Sequence, residues 1–287
     1  MARPASAGMN GAGDVPKVSV VTVVRNGLPL IEHTIESVLA QDYPALEYWI
    51  VDGGSTDGTV DLIRRHASRL AGWSSEPDAG IADAFNKGLA RAQGDYIMYL
   101  NADDALASPS ALSSLVDAAR RSGWPDVIYG DCDLIDRDSG EFLYRHAVEY
   151  DRRRFLRCGT LPHPGMLTHR RYFERFGRFD PSYRIAMDYE LQLRGVPQTG
   201  AVRAPVLVTR VRTGGLSATD RPLAMEENLR ALRKNGHLRS AFAEARLRAY
   251  FRLRSAARRV LEATGLHRQF ERARRRGAQA GSPGDGR

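Results

Sequence analysis

The sequence predicts an α/β fold: a mostly parallel central sheet with flanking helices, followed by a C-terminal helical extension. Two observations predict the sheet. Short apolar runs alternate with segments of helical period, and acidic or glycine-rich loops follow several of these runs. A third observation predicts the extension, because apolar residues and arginines recur at helical spacing from residue 220 onward. Ligands of such sheets bind beyond the carboxyl ends of the strands.

The predicted strands of the first hundred residues are short apolar runs, at 18–24, 46–51, 71–75 and 95–100. A helix follows each of the first three strands, because apolar side chains recur there three or four residues apart. The positions that carry this period are Ile31, Ile35, Val38 and Leu39, then Val60, Ile63 and Leu70, then Ala82, Phe85 and Leu89. Strands that alternate with helices favour parallel pairing.

The rest of the chain alternates less regularly. The pattern predicts helices at 110–122, 170–176 and 186–194, strands at 126–129 and 204–211, and short strands with turns at 131–150. From residue 220 the chain is predicted to be helical. Leu247, Tyr250 and Leu253 then fall on one side of the helix, with Arg248 and Arg252 opposite.

Composition bounds the domain organisation. A chain of 287 residues, 43% of them hydrophobic, can bury a full core. We predict a flexible N-terminus over 1–16, a main domain over 17–219, an arginine-rich helical extension over 220–276 and a disordered tail over 277–287. No apolar run approaches the roughly 18 residues of a membrane span, and no signal peptide is recognised, so we expect a cytoplasmic protein. Cys132 and Cys158 fit neither a disulfide framework nor a zinc site.

The net charge of +8 is unevenly distributed. Residues 1–220 contain 25 Lys and Arg against 28 Asp and Glu, whereas residues 221–287 contain 17 against 6. The positive charge therefore belongs to the extension and the tail, which could bind nucleic acid, an acidic protein or an anionic membrane.

Two adjacent carboxylates, Asp103 and Asp104, follow the fourth predicted strand. Adjacent carboxylates repel each other unless a cation lies beside them. Hard divalent ions take carboxylate oxygens together with waters and the oxygens of a diphosphate. The pair therefore indicates a Mg²⁺ or Mn²⁺ site. The alternative is an exposed turn, which Asp and Asn favour through local hydrogen bonds.

Two more polar loops follow predicted strands. The glycines after Asp52 allow the backbone to approach a ligand, and Asp52 can accept a hydrogen bond from a ring N–H or a ribose hydroxyl. Asp57, in the same loop, is expected to cap the next helix. The loop over 76–88 leads into a helix that carries Lys87, an arrangement that favours phosphate. Asp83 can instead complement the dipole of that helix.

These loops resemble those of the family 2 glycosyltransferases, in particular the bacterial exopolysaccharide branch that includes the colanic-acid-type transferases. The matching segments are VSVVTVVRN at 18–26, VDGGSTDGT at 51–59, EPDAG at 76–80, DAFNK at 83–87 and LNADD at 100–104. The resemblance extends over about residues 17–215. It implies a GT-A fold with the main domain as catalytic domain, a nucleotide-sugar donor, a divalent metal and inversion at the anomeric carbon.

The resemblance also implies roles for single residues. Asp52 would contact the nucleoside base, Asp103 the ribose or the metal, and Asp104 the metal and the diphosphate. The implied donor site consists of Val23, Arg25, Asn26, Asp52, Asp83, Lys87, Asn101 and Asp103, with the metal at Asp103 and Asp104. Gly53 stands where the family has a second acidic residue, and Asn101 where its DxD motif begins. The second departure shifts metal binding towards Asp103 and Asp104.

A later segment resembles the acceptor side of the family, with HPGM at 163–166, FD at 179–180 and IAMDYE at 185–190. The resemblance implies that Asp188, the aspartate before the aromatic residue, is the catalytic base. His163, held between two prolines, and Glu190 are candidates for the acceptor side, and a structural hydrogen bond is the alternative for His163. Arg184 and the run 152–154 are further candidates for anion contacts.

The expected partners are a nucleotide-sugar donor and a glycan or lipid-linked acceptor, without nucleic acid. Residues 240–276 are expected to contact the anionic inner face of the cytoplasmic membrane. Alternatively, this helix packs on the main domain with its arginines pointing outward.

Two other functions remain open from the sequence. A nucleotidyltransferase would require a glycine-rich, basic loop after the first strand, where this chain has the single Gly27. A non-catalytic nucleic-acid-binding or scaffold protein would use the basic tail, but it leaves the acidic loops unexplained.

Overall fold

The computed structural model describes residues 15–158, 161–215 and 219–263. The predicted disordered tail over 277–287 lies outside these ranges. So do nearly all of the predicted flexible N-terminus and residues 264–276 of the extension.

A nine-stranded sheet forms the centre of the molecule. Its strands are β1 Val18–Val24, β2 Leu46–Asp52, β3 Gly72–Ser75, β4 Tyr96–Tyr99, β5 Ala105–Leu106, β6 Val127–Ile135, β7 Phe142–His146, β8 Met166–His169 and β9 Val202–Arg212. The order is β3-β2-β1-β4-β8-β6-β9-β5, and β7 pairs with β6. The four strands β3, β2, β1 and β4 are parallel neighbours. Strand β8 is antiparallel to β4 and β6, while β6 and β9 are parallel.

Helices cover both faces of this sheet. They are α1 Ile31–Leu39, α2 Thr59–His66, α3 Ile81–Arg91, α4 Ala111–Arg121, α5 Arg152–Cys158, α6 Arg170–Phe176, α7 Met187–Thr199, α8 Arg221–Lys234 and α9 Ala241–Ala263. Short 3₁₀ turns cover Ala67–Arg69 and His163–Gly165. The predicted α/β class is confirmed.

Strand β1 shows why the sheet is buried on both faces. Val18 and Val20 pack with α1, α2 and α4 in one core cluster, and Val21 and Val23 pack with α3 and α7 in the other. Side chains alternate between the faces of a strand, so an unbroken β-branched run supplies both cores.

The structure differs from the predicted elements in its second half. Short strands joined by a turn do occur within 131–150, where residues 131–135 continue β6 and Phe142–His146 form β7, but the arginine run 152–154 lies in helix α5, which the sequence did not predict. The helical extension is broken after α8, where Gly236 adopts a φ of 72°. This left-handed conformation is typical of the glycine that ends a helix.

The C-terminal helices pack on the main domain. Leu247 of α9 is partly buried against the core, and Arg157 lies over the ring of Tyr250 at 5.4 Å. Arg248, predicted on the outward side, instead forms ion pairs with Glu226 and Glu244. Among the helices in the described ranges, none has the length and apolar content that crossing a membrane requires.

Candidate active site

Polar loops converge at one edge of the sheet, where the parallel strands β3, β2, β1 and β4 end. Arg25 and Asn26 follow β1, Asp52 ends β2, and Asn101 lies two residues beyond β4. Since these strands are parallel neighbours, their carboxyl ends share this edge.

The loops after β1 and β2 are joined by Asn26. Its side-chain oxygen accepts the N–H of Thr56 at 2.9 Å, and its own N–H donates to Ser55 Oγ at 2.7 Å. Arg25 is exposed in the loop after β1, whereas Val23 is buried within the strand. Asp57, predicted to cap α2, lies one residue before the N-cap residue Gly58 and accepts the N–H of Thr59 from there.

Asp52 is completely buried, and its carboxylate holds the turn that follows it. One oxygen accepts the N–H groups of Gly54 and Ser55, both at 3.0 Å, and the hydroxyl of Ser75 at 2.6 Å. The other oxygen accepts the hydroxyl of Ser55. With both oxygens occupied, Asp52 shapes the loop and does not present a free carboxylate to a base.

Lys87 ties α3 to the loop after β3. Its ammonium group lies 3.3 Å from Asp83 and 3.4 Å from Glu76, and it donates to the carbonyl of Pro77 at 3.1 Å. The backbone N–H of Ala79 and the Lys87 charge hold the pKa of Asp83 below its usual value. The pair Asp83 and Lys87 therefore fixes the shape of the loop over 76–80.

Asp103 and Asp104 have different environments. Asp104 is 1% exposed; its oxygens accept the N–H of Arg212 at 3.0 Å and the side-chain amide of Asn101 at 2.8 Å. Burial, reinforced by the charge of Asp103, raises the pKa of Asp104 to about 7. Asp103 is partly exposed and pairs with Arg137 at 2.7 Å. This geometry favours a structural role for Asp104 and leaves Asp103 as the carboxylate that a ligand can reach.

The donor set at this edge fits a hard divalent ion that is shared with a diphosphate. No cluster of three or more His, Cys, Asp or Glu suited to a metal occurs within the described ranges. One carboxylate, Asp103, together with diphosphate oxygens and waters, is the kind of ligand set that Mg²⁺ accepts. Arg137, from the β6–β7 connection, is a cation already placed at that carboxylate.

The second part of the site begins at His163, next to the end of β4. Its ring stacks on Tyr99 and Phe85 with centroids 5.6 Å apart in both cases. Because β8 runs antiparallel to β4, the start of β8 lies at the same sheet edge as the loops after β1, β2 and β4. Burial lowers the pKa of His163, against the opposing charge of Asp188, so the imidazole is neutral at pH 7.

Asp188 lies in the first turn of α7 and lines a small cavity together with His163 and Gln192. The side-chain amide nitrogen of Gln192 is buried there without a hydrogen-bond partner among the described residues. The carboxylate of Asp188 accepts the N–H of Tyr189 at 2.7 Å. A half-buried carboxylate beside a neutral imidazole can accept a proton from a hydroxyl group.

Glu190 does not line this cavity. It is completely buried, forms ion pairs with Arg194 and with Lys234, the latter at 2.9 Å, and accepts from Asn235. Burial alone would raise the pKa of Glu190, but these hydrogen bonds hold it below its usual value. The geometry favours a structural role for Glu190, in place of the acceptor contact considered from the sequence.

Sequence reasoning missed Glu227. Its carboxylate accepts the backbone N–H groups of Arg184, Ile185 and Ala186 at 2.8, 2.8 and 2.9 Å, and so fixes the loop that leads into Asp188. The sequence around Glu227 gave no signal of this role, because the three N–H groups come from a segment 41–43 residues earlier in the chain.

Comparisons with known proteins agree with this architecture. Residues 19–177 match Glycosyl transferase family 2. An uncharacterised glycosyltransferase of Mycobacterium tuberculosis is 31% identical over 219 residues, 76% of this chain and 83% of the relative. A PGL/p-HBAD biosynthesis glycosyltransferase of Mycobacterium bovis is 29% identical over 198 residues, 68% of this chain and 73% of the relative.

Two solved structures share the fold. S. aureus TarS 1–349 in complex with UDP-GlcNAc has a TM-score of 0.61 at 16% identity, over 76% of this chain and 65% of TarS 1–349. The mannosyltransferase PcManGT of Pyrobaculum calidifontis, in complex with GDP-Man and Mn²⁺, has a TM-score of 0.59 at 23% identity, over 92% of this chain and 83% of that protein. The predicted GT-A fold is confirmed.

Proposed function

Since this chain belongs to Glycosyl transferase family 2, we propose that it transfers a sugar, with inversion, from a nucleotide-sugar donor to a hydroxyl of a glycan or lipid-linked acceptor. Neighbours that bind UDP-GlcNAc and GDP-Man support the donor, and a relative in PGL/p-HBAD biosynthesis supports an acceptor from bacterial surface polysaccharide or glycolipid biosynthesis. The colanic-acid-type branch stays a prediction. Family membership disfavours the nucleotidyltransferase and scaffold alternatives.

The position of Asp188 carries the proposal. An acceptor hydroxyl is a poor nucleophile at neutral pH, so a carboxylate must take its proton as it attacks the anomeric carbon. Asp188 lines a cavity together with His163, whose ring stacks on Tyr99 at the end of β4, and burial lowers the pKa of that imidazole. Direct displacement inverts the anomeric carbon and requires no covalent enzyme intermediate.

The nucleoside diphosphate leaves with negative charge building on its oxygens. Mg²⁺ or Mn²⁺ held at Asp103 would supply Lewis-acid stabilisation of that charge. Arg137 lies at the same carboxylate and can turn from Asp103 towards the diphosphate, where a guanidinium binds phosphate oxygens in a bidentate manner. Asn101 holds Asp104, and thereby the turn that carries Asp103.

The test is Asp188→Asn, which keeps the size of the side chain and removes its basicity. We expect kcat to fall by at least about 100-fold, since general-base catalysis contributes on the order of 10²–10⁴. Nucleotide binding should be retained. Asp180→Asn is the matched control, because Asp180 pairs with Lys234 at 2.7 Å and does not line the cavity. Normal turnover by Asp188→Asn would refute the assignment of the base.

In this proposal, helix α9 faces the membrane that holds a lipid-linked acceptor. On α9, Phe242 and Leu253 are 78% and 71% exposed, and helical geometry places exposed Arg246 on the same face. An apolar face bordered by arginines matches an anionic lipid surface. This arrangement supports a cytoplasmic protein held peripherally on the inner face of the membrane.

Vesicle co-sedimentation tests this contact with the full chain. We expect binding to anionic vesicles and weak binding to neutral ones, with Phe242→Glu and Leu253→Glu together reducing the anionic binding. Phe142→Glu, which charges an exposed aromatic residue on β7, should leave it unchanged. Equal binding to both vesicle types would count against the proposal.

A further inference from the structure

Helix α7 carries a polar side chain into the core beside Asp188. Gln192 is 5% exposed and is flanked in sequence by Leu191 and Leu193, which are also buried. It lies four residues after Asp188, so the two side chains share a face of the helix, about one turn apart. Both line the same small cavity, which also borders β6 and β8. Apolar packing alone does not account for a glutamine at this position.

The side-chain amide of Gln192 is short of one hydrogen bond. Its nitrogen is buried and has no hydrogen-bond partner among the described residues. Buried polar atoms in folded proteins nearly always have a partner, which is either a protein group or an ordered water. An amide nitrogen only donates, so this partner is an acceptor. The cavity that Gln192 lines is the place where such an acceptor can lie.

The cavity has the size and the polar lining that one water molecule requires. The space that water can occupy within it is about 10 Å³, close to the minimum for a single molecule. A buried water has about three polar partners. The polar side chains of the lining are those of His163, Thr168, Tyr172, Asp188 and Gln192, and the Tyr172 hydroxyl already donates to carbonyl groups of α7. A sugar ring is far larger than this space, so the cavity is not itself the acceptor pocket.

We propose that one water molecule in this cavity joins Gln192 to Asp188, and that Gln192 is thereby a positioning residue for the catalytic base. This inference rests on the proposed function, since it assigns a role at the same site. The water accepts the amide N–H of Gln192 and donates one of its own hydrogens to the carboxylate of Asp188. The amide nitrogen and the carboxylate are not hydrogen-bonded to each other directly, and a water can bridge them because it both accepts and donates.

The bridge holds the carboxylate of Asp188 in one orientation. Its Oδ1 accepts the N–H of Tyr189 at 2.7 Å, from the backbone of the same helical turn. The water adds a second contact from the side of the cavity. A carboxylate has about four acceptor positions on its two oxygens, so both contacts together still leave room for the proton of an acceptor hydroxyl. A fixed carboxylate favours the reaction, because proton transfer requires hydrogen-bond geometry.

Gln192→Leu tests this role, because leucine is close to glutamine in size and has no polar group. The assay is the release of nucleoside diphosphate by the full chain from a panel of UDP-, GDP- and dTDP-sugars at fixed Mg²⁺, with water in place of the acceptor hydroxyl. We expect kcat to fall by about 10-fold, the effect of one hydrogen bond, while the KM for the donor stays constant. Tm should not fall, since an apolar side chain of similar shape replaces a buried polar one.

The matched control is Gln198→Leu. Gln198 lies on the same helix, but it is exposed, donates to the carbonyl of Arg194 at 2.9 Å and does not line the cavity. This variant should keep the wild-type kcat. A crystal structure of the wild-type chain should show an ordered water within about 3.2 Å of both the Gln192 amide nitrogen and an Asp188 oxygen. A cavity without that water would overturn the inference.

A double-mutant cycle tests whether Gln192 acts through Asp188. In the Asp188→Asn background, Gln192→Leu should cause no further loss of kcat, because the carboxylate that it positions is already gone. Unchanged kcat in Gln192→Leu, or an equal loss in both backgrounds, would overturn this inference and leave the proposed function standing. Failure of the wild-type chain to release nucleoside diphosphate from any donor of the panel would overturn both.

Discussion

Glu227 is expected to position Asp188, the proposed catalytic base, through the loop that precedes it. It is 6% exposed on α8 and binds the backbone N–H groups of Arg184, Ile185 and Ala186, directly before the helix that carries Asp188. Glu227→Gln keeps the shape of the side chain, but replaces one acceptor oxygen with an NH₂ group that faces backbone donors. At least one of the three hydrogen bonds must then be lost.

The size of the effect follows from this geometry. A hydrogen bond to a charged group contributes roughly 1.5–3 kcal/mol, and a buried N–H left without a partner adds a similar cost. We expect a loss of about 3 kcal/mol in the free energy of unfolding, a fall in Tm of about 6–12 °C for a chain of this size. A shift of about 1 Å in the loop before Asp188 would lower kcat by about 10- to 100-fold.

Steady-state kinetics together with thermal unfolding of Glu227→Gln distinguish a role of Glu227 in positioning Asp188 from an effect on protein stability alone. Well below the lowered Tm, kcat should fall while the KM for the donor stays nearly constant, because the donor loops lie at other strand ends. Glu226→Gln is the matched control. The Glu226 carboxylate, one residue before Glu227, is half exposed and pairs with Arg248 on α9. A lowered Tm with unchanged kcat would refute the positioning role of Glu227.

Four other substitutions have expected outcomes. Asp103→Asn should abolish the enhancement of UDP binding by Mn²⁺, whereas Asp104→Asn should preserve it; titrations with and without Mn²⁺ measure both. His169 has its pKa lowered to about 4 by burial and by Arg171, so the unfolded chain binds more protons between pH 6.5 and 4. Stability should therefore fall by about 1 kcal/mol from pH 7 to 5, after allowance for partial exposure, and His169→Asn should flatten this dependence in urea unfolding. Gly195→Ala should cost about 1–3 kcal/mol in thermal unfolding, because its Cβ would overlap the ring of Tyr172.

The parallel half of the sheet was predictable because its signals are local. The β-branched run that begins at Val18 can be buried on both faces only in a central strand, and the helices after it carry their apolar period within a few residues. The loops at the strand ends follow from this order, since parallel neighbours bring them to one edge. No knowledge of distant contacts was needed.

The second half depends on contacts between distant segments. Residues 131–135 extend β6 because β9 pairs alongside them, about 75 residues later in the chain. The role of Glu227 depends likewise on a loop that packs beside α8, and Arg248 turns inward because Glu226 and Glu244 lie there. A helical wheel shows which side of a helix is apolar, but not which charges meet across a helix pair.

Asp103 and Asp104 also differ in a way that the sequence alone does not predict. Both are aspartates in one turn, and like-charge repulsion predicts only that their ionisation differs, not which one stays charged. The difference comes from β9, whose Arg212 N–H binds Asp104 and covers it, while Asp103 stays at the surface. Burial then raises the pKa of Asp104 to about 7. Arg137 pairs with Asp103 there, so under the proposed function Asp103 is the carboxylate that a divalent ion would reach, on a turn that Asp104 holds in the fold.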